Sequence, residues 1–318
     1  MEKENIKILF MGTSYFAKEI LASLIEDKYK ILGVVTQPDK KSGRERKIIS
    51  SPIKEIARAQ KIPFLQPEKL TEKVISQIKG SHPDLIIVAA YGKIIPKEII
   101  EYPKFKSINV HPSLLPEFRG PSPIQNAILA GEKETGTTIM LVDEKMDHGD
   151  ILAQKSIKMS EDDTTETLSE KLAKLSSYLL LETIPLWTEK KIKPQKQDNS
   201  KATYCQLIER EDGHIFWDSE AQDIYNKYRA FYSWPGIFSV WGNEKIIIRI
   251  KLTKIKLWEK DVENNCQIGE VIKINDSVGV KASKGAIIME EVQVEGKKLV
   301  LIKDFINGYP NFIGSKLK

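Results

Sequence analysis

From residue 6 to residue 186, short runs rich in Ile, Val and Leu alternate with longer stretches whose apolar residues recur at helical spacing. This alternation constrains the fold more than any other feature, because strands separated by crossover helices pair in parallel and are covered on both faces. Residues 6–11, 31–36, 84–90, 107–110 and 137–142 read as strands. Helices are expected over 52–59, 71–78, 122–130 and 164–186, and through Ala17, Ile20, Leu21 and Leu24. Thr164, with Thr167 three residues later, reads as the N-cap of the last of them. The expected class is α/β, with a covered parallel sheet in a first domain spanning residues 1–187.

The pattern then changes. Residues 188–203 are polar and basic with almost nothing to bury, so 188–207 reads as a basic linker. A helix is expected over 219–231, with Ser219 as N-cap and Ile224, Tyr228 and Phe231 on its apolar face. Strand signals follow at 238–241, 245–257, 269–274, 278–281, 286–294 and 298–302. Several short strands with turn residues between them suggest a small β-barrel as a second domain, residues 208–318.

Bulk properties exclude some classes and select none. With 41% hydrophobic and 29% charged residues the composition is that of an ordinary globular protein. A net charge of +5 is compatible with a polyanionic partner without demonstrating one. Cys205 and Cys266 form no ligand pattern and no disulfide framework. Residues 1–4 run directly into the first strand without signal-peptide features, and apolar runs such as 85–90 are too short for a bilayer. The expectation is a soluble cytoplasmic protein with no membrane partner.

The chemistry gathers between residues 107 and 150. Asn109 and His111 are two apart at the end of an apolar strand, so their side chains leave on one face. Asp147 lies beyond the next strand in the turn Met146-Asp147-His148-Gly149-Asp150. An amide can donate to a developing oxyanion, an imidazole can carry a proton near neutral pH, and a carboxylate can pair with the imidazolium. Such a group suits acyl transfer to an external nucleophile. An isolated Asn-x-His is more often turn chemistry, so the weight falls on the whole ordered set. His111, Asp147, His148 and Asp150 are all potential metal ligands, but no His-Glu-x-x-His or Cys cluster accompanies them, and no metal is expected. The turn Gly12-Thr13-Ser14 lacks the glycine-rich phosphate cradle of a dinucleotide site.

Asn109, His111, Ser113, Leu114, Leu115, Pro116 and the later Asp147 resemble the Asn-x-His-x-Ser-Leu-Leu-Pro motif and late Asp of the folate-dependent formyltransferases. Two further segments resemble the branch that formylates methionyl-tRNA. They are Gly43-Arg44-Glu45-Arg46-Lys47 with Ser51-Pro52-Ile53-Lys54, and Arg229-Ala230-Phe231-Tyr232-Ser233-Trp234-Pro235-Gly236. The resemblance implies a Rossmann-like N-terminal formyltransferase domain and an OB-like C-terminal tRNA-binding domain. It implies 10-formyltetrahydrofolate as formyl donor, initiator methionyl-tRNA as acceptor, and a monomer.

By the same resemblance, Asn109, His111 and Asp147 are catalytic. Tyr91, Ser113, Leu114, Leu115, Pro116, Met140, Val142 and Asp143 line the folate site, although strand residues such as Met140 and Val142 are buried in most proteins whatever they do. Arg44, Arg46 and Lys47, with Lys191 and Lys193 on the linker, meet tRNA. A cationic loop is by default a solvated surface, and Glu45 departs from the basic run usual in the family. Formyl transfer to an amino-sugar nucleotide, hydrolysis of 10-formyltetrahydrofolate, or non-catalytic RNA binding are the competing functions.

Overall fold

The computed structural model describes residues 3–42, 47–242, 247–260, 262 and 266–318; for residues 41, 42 and 47 it describes the backbone alone. The chain divides into two compact units. The first holds residues 1–123, 134–159 and 168–207, and the second holds residues 124–133, 160–167 and 208–318.

The first unit begins with β1 (Lys7–Gly12), α1 (Tyr15–Glu26) and β2 (Lys30–Val35), then a hairpin of β3 (Lys40–Ser42) and β4 (Lys47–Ile49). There follow α2 (Pro52–Ala59), β5 (Phe64–Leu65), α3 (Glu72–Gly80), β6 (Leu85–Ala89), α4 (Lys97–Ile100) and β7 (Ser107–His111). Helix α5 (Pro123–Leu129), which beyond Pro123 belongs to the second unit, precedes β8 (Glu134–Leu141), β9 (Ile151–Lys158) and the long α6 (Thr165–Thr188), which belongs to the first unit from Leu168 onward. The sheet runs β5-β2-β1-β6-β7-β8-β9. Strands β5 to β7 in that order are parallel, whereas β8 pairs antiparallel with both β7 and β9. All five residues of β6 are buried, as a central strand covered on both faces requires. Strand β9 escapes the hydrophobic pattern because it is an edge: only Leu152 is buried, and the exposed positions carry Gln154, Lys155 and Lys158.

Local signals explain several boundaries. Ser14 caps α1 by accepting from Ala17 N at 3.4 Å, so the turn after β1 is closed by its own side chain. Ser51 caps α2, with Pro52 at its first position. Thr164 Oγ1 accepts from Thr167 N at 3.4 Å and Thr167 Oγ1 accepts from Thr164 N at 3.0 Å, a reciprocal cap at the start of α6. Residues 188–207, expected to be a linker, fold into the first unit: Gln195 and Ile151 exchange backbone hydrogen bonds of 2.7 and 2.9 Å, and Gln197 is 9% exposed. Their polar side chains satisfy backbone groups of the sheet turns, work that leaves no apolar trace in the sequence.

The second unit holds α7 (Ala221–Ala230), β10 (Ile237–Gly242), β11 (Ile247–Trp258), β12 (Val271–Ile274), β13 (Ser277–Lys281), β14 (Ala286–Val294), β15 (Val300–Leu301) and α8 (Ile302–Gly308). Its sheet is antiparallel in the order β10-β11-β14-β13-β12, with β15 beside β14. Residues 245 and 246 of the strand expected over 245–257 lie outside the described residues. Two local expectations are corrected. The N-cap of α7 is Glu220, not Ser219, because the Ser219 carbonyl is taken by Ser283 N at 3.1 Å and its N–H by Phe216. The run 298–302 makes only a two-residue strand before turning into α8, whose Phe305 packs with Trp241, Tyr309 and Phe312.

Candidate active site

Strand β7 ends at the sheet's change of direction, parallel to β6 on one side and antiparallel to β8 on the other. Polar groups at such strand ends face a loop-built crevice rather than another layer. Asn109 and His111 lie on this end and both reach Asp147, from the turn after β8. Asn109 Nδ2 donates to Asp147 Oδ1 at 3.2 Å, and His111 Nδ1 lies 3.6 Å from the same oxygen. Asp147 Oδ2 accepts from the backbone N–H of Gly120 at 2.9 Å. The three sequence-predicted groups therefore meet at one carboxylate. The imidazole and carboxylate side chains are only 5% and 13% exposed, so their interaction is poorly screened.

The opposite ring nitrogen fixes the histidine. His111 Nε2 lies 3.0 Å from the Phe118 carbonyl oxygen, which can only accept, so Nε2 carries hydrogen. Nδ1 then holds a lone pair toward the site. At 3.6 Å it is too far from Asp147 for a direct hydrogen bond and close enough to pair with it once protonated. Asp147 adopts φ 51°, a conformation that short Asp side chains tolerate. Two residues on, a Cβ on Gly149 would stand 1.8 Å from the Leu141 carbonyl oxygen, so only glycine lets the turn close against β8.

The loop joining β7 to α5 is pinned to β8. Thr138 Oγ1 donates to Ser113 O at 2.6 Å and accepts from Leu115 N at 3.1 Å. Gln154 Nε2 donates to Leu115 O at 2.7 Å. Ser113 Oγ turns inward to Glu117 O at 2.7 Å. Of the residues expected to line a folate site, Ser113 and Leu115 are buried within this turn and Met140 is buried in β8, while Leu114, Pro116 and Val142 are half-buried. Tyr91 is buried in the cluster that also packs Val142. Its hydroxyl has no hydrogen-bond partner among the described residues, and burial pushes its pKa up to about 12. Asp143 is engaged locally, accepting from Lys145 N at 3.0 Å and lying 3.0 Å from His148 Nδ1.

Arg44 and Arg46 lie outside the described residues, and Lys47 is known by its backbone, which pairs with Ser42. At the base of their hairpin, Thr36 and Ser51 hydroxyls are 2.8 Å apart. Lys54 Nζ and Gln66 Nε2 both donate to Asp39, at 2.5 and 2.7 Å. Lys191 and Lys193 are exposed, with Lys191 paired to Glu189 at 2.7 Å. Sequence reasoning missed Gly120, Thr138, Gln154 and Gln197 as supports of the site. The adjacent Arg119-Gly120 was a visible signal for the first, and nothing marked the others.

A model for the formyl transferase domain matches residues 4–184, and one for the formyl transferase C-terminal domain matches residues 207–310. The chain belongs to the formyltransferase family. This formyltransferase is 42% identical to the methionyl-tRNA formyltransferase of Caldicellulosiruptor saccharolyticus, over 95% of this chain and 96% of that one. It is 41% identical to the protein of that name from Caldanaerobacter subterraneus, over 98% and 100% of the two chains. Among solved structures, HypX from Aquifex aeolicus in complex with tetrahydrofolic acid superposes with a TM-score of 0.64 at 18% identity, covering 96% of this chain and 48% of that one. The N-formyltransferase from Helicobacter canadensis, bound to folinic acid and dTDP-3-aminofucose, gives 0.63 at 20% identity, covering 89% and 98%. At such identities the formyltransferase fold is what is shared.

Proposed function

We propose that this chain transfers the formyl group of 10-formyltetrahydrofolate to the α-amine of methionyl initiator tRNA. Convergence of Asn109, His111 and Asp147 within 3.6 Å carries this assignment. The names of the relatives at 41–42% identity direct the choice of acceptor.

Acyl transfer to an amine must stabilise an oxyanion and relocate a proton. One hydrogen of the Asn109 amide is given to Asp147, which leaves the second for the oxygen that becomes negative. His111 Nδ1 takes the proton of the attacking amine. The imidazolium so formed is held by Asp147, and the same proton then passes to the departing nitrogen of the donor. The new bond joins the formyl carbon to the amine, the old carbon–nitrogen bond breaks, and no enzyme nucleophile is consumed. Val142, Leu114 and Pro116, half-buried beside this centre in the chain, are the side chains best placed to border the donor.

Recognition of tRNA is assigned to the β3–β4 hairpin. Exposed Ile48 and Ile49 and exposed Lys40 flank Arg44 and Arg46 in sequence, combining apolar surface with phosphate-pairing charge. Lys191 and Lys193 would extend that path. The protein is proposed to act as a cytoplasmic monomer; no described helix is long and apolar enough to cross a membrane.

Purified protein should be given radiolabelled formyl donor with methionyl initiator tRNA, methionyl elongator tRNA, a dTDP-amino sugar, or water alone. Label is expected on initiator methionyl-tRNA. Transfer to the sugar alone, or release of formate without transfer, would replace the proposal with one of its rivals. RNA binding without turnover would leave a binding protein. Arg44→Ala is expected to lower kcat/KM for tRNA and leave folate affinity unchanged; equal loss of both would reject the hairpin's role.

A further inference from the structure

Among the described residues, the largest fully buried side chain is a charged one. Arg119 is 1% exposed, and its guanidinium is hydrogen-bonded to neutral groups. Its Nε and one terminal nitrogen donate to Gln197 Oε1 at 3.0 and 2.6 Å, the same terminal nitrogen donates to Asn199 Oδ1 at 2.8 Å, and the other reaches Tyr204 Oη at 3.2 Å. Burying a cation is costly unless it is fully hydrogen-bonded. A buried arginine satisfied by amides and a phenol therefore has to be holding something in place.

What it holds is visible at the other end of Gln197. The side-chain Nε2 donates to the carbonyl oxygens of Asp147 at 2.9 Å and Gly149 at 2.8 Å. These two carbonyls belong to the turn that carries the catalytic carboxylate, in which Asp147 stands at φ 51°. Next to it, Ile151 and Gln195 exchange two backbone hydrogen bonds. Farther along the strap, Thr203 O accepts from Arg119 N at 2.9 Å and Thr203 Oγ1 from Phe118 N at 2.8 Å. Cys205 N donates to Arg119 O at 2.8 Å. Residues 195–205 thus bind both loops that aim the catalytic groups: the one supplying the Phe118 carbonyl to His111 and the Gly120 N–H to Asp147, and the one bearing Asp147 itself.

We propose that Gln197 is a positioning residue for formyl transfer, one amide that sets the place of Asp147 by bonding its main chain while its oxygen is locked by buried Arg119. This inference rests on the function proposed above. The amide is suited to the task because it alone presents an acceptor to the guanidinium and two donors to the carbonyls from one planar group. Neither a hydroxyl nor a carboxylate can do both.

Gln197→Glu separates the two halves. It keeps size and strengthens the contact with Arg119, but it turns a carboxylate oxygen toward the carbonyls of Asp147 and Gly149. If Gln197 merely glues the strap through Arg119, the substitution is neutral or stabilising. If it positions Asp147, kcat for formyl transfer falls about 10²-fold, the effect of a misplacement near 1 Å, while KM for both substrates stays within about twofold. The deciding measurement is a double-mutant cycle with Asp147→Asn. Acting through Asp147, the Gln197→Glu change costs less than about twofold in the Asp147→Asn background. An unchanged kcat in the single variant, or the same loss in both backgrounds, overturns the proposal. Should Gln197→Glu fail to fold, Gln197→Met, of similar volume without either polar end, takes its place in the cycle with the same expected and overturning results. Wild-type enzyme with methionyl initiator tRNA is the control: absence of turnover there refutes the proposed function, whereas robust wild-type turnover with an indifferent Gln197 variant refutes the strap alone.

Discussion

His111 Nε2 stands 3.0 Å from the carbonyl oxygen of Phe118, a residue seven positions later whose own backbone is at φ 56°. That left-handed residue aims a carbonyl at the ring, and the carbonyl decides which nitrogen is free for chemistry. Replacing His111 with Ala is expected to lower kcat about 10²–10⁴-fold, the usual worth of a positioned proton carrier, with the KM for tRNA changed less than about threefold. Steady-state kinetics with each substrate varied would check it. A variant with unaltered kcat would remove His111 from the reaction.

Asn109 differs from His111 in staying neutral throughout. Asn109→Ala is expected to lower kcat about 10²–10³-fold, as the loss of one oxyanion donor does. Asn109→Asp should be worse, because it sets a second carboxylate where Nδ2 now donates to Asp147 at 3.2 Å. Comparing the two single-turnover rates tests the assignment: a carboxylate variant as active as wild type would show that no donor is needed there.

Gly120 binds the site to the strap at φ 122°, and a Cβ there would lie 2.2 Å from the Cys205 carbonyl oxygen. Gly120→Ala should destabilise the protein by about 1–3 kcal/mol from backbone strain alone, more with the clash. Urea unfolding followed by circular dichroism would measure it. Because Gly120 N donates to Asp147 Oδ2, the folded fraction should also turn over more slowly.

Asp39 predicts a pH effect. The hydrogen bond from Lys54, then that from Gln66, holds its carboxyl below the usual range. A folded-state pKa below the unfolded value contributes stability above the unfolded pKa, near ~3.9 for Asp, and that contribution is lost as pH falls through the depressed value. Asp39→Asn should therefore destabilise the protein at neutral pH, with the difference from wild type shrinking in acid below the ordinary carboxylate range. Urea unfolding of both proteins across that range would show it. A difference independent of pH would mean that the ion pair at the base of the hairpin contributes nothing.

Much of the site was legible because it is written in local terms. The two-residue spacing of Asn109 and His111 dictates a shared strand face wherever that strand goes. Thr164, read as an N-cap with Thr167 three residues on, stands immediately before the first helical residue, Thr165. The parallel sheet followed from apolar runs alternating with helical periodicity. Missed elements had weaker local signals: β9 is a polar edge, α4 is four residues long, and α8 opens on an Ile that also suits a strand.

Sequence alone determined the α/β class of the first half, the β-rich second half, and the identity of the three polar groups offered to the site, since periodicity and residue chemistry are properties of neighbours along the chain. Tertiary structure decided that residues 36 positions apart, His111 and Asp147, stand 3.6 Å from one another. It also decided that a polar stretch with nothing to bury would become a strap, because Gln197 is used by backbone carbonyls at Asp147 and Gly149 that no spacing rule connects to it. Hydrogen bonds to a distant main chain carry no periodic signature, so only folding could reveal them.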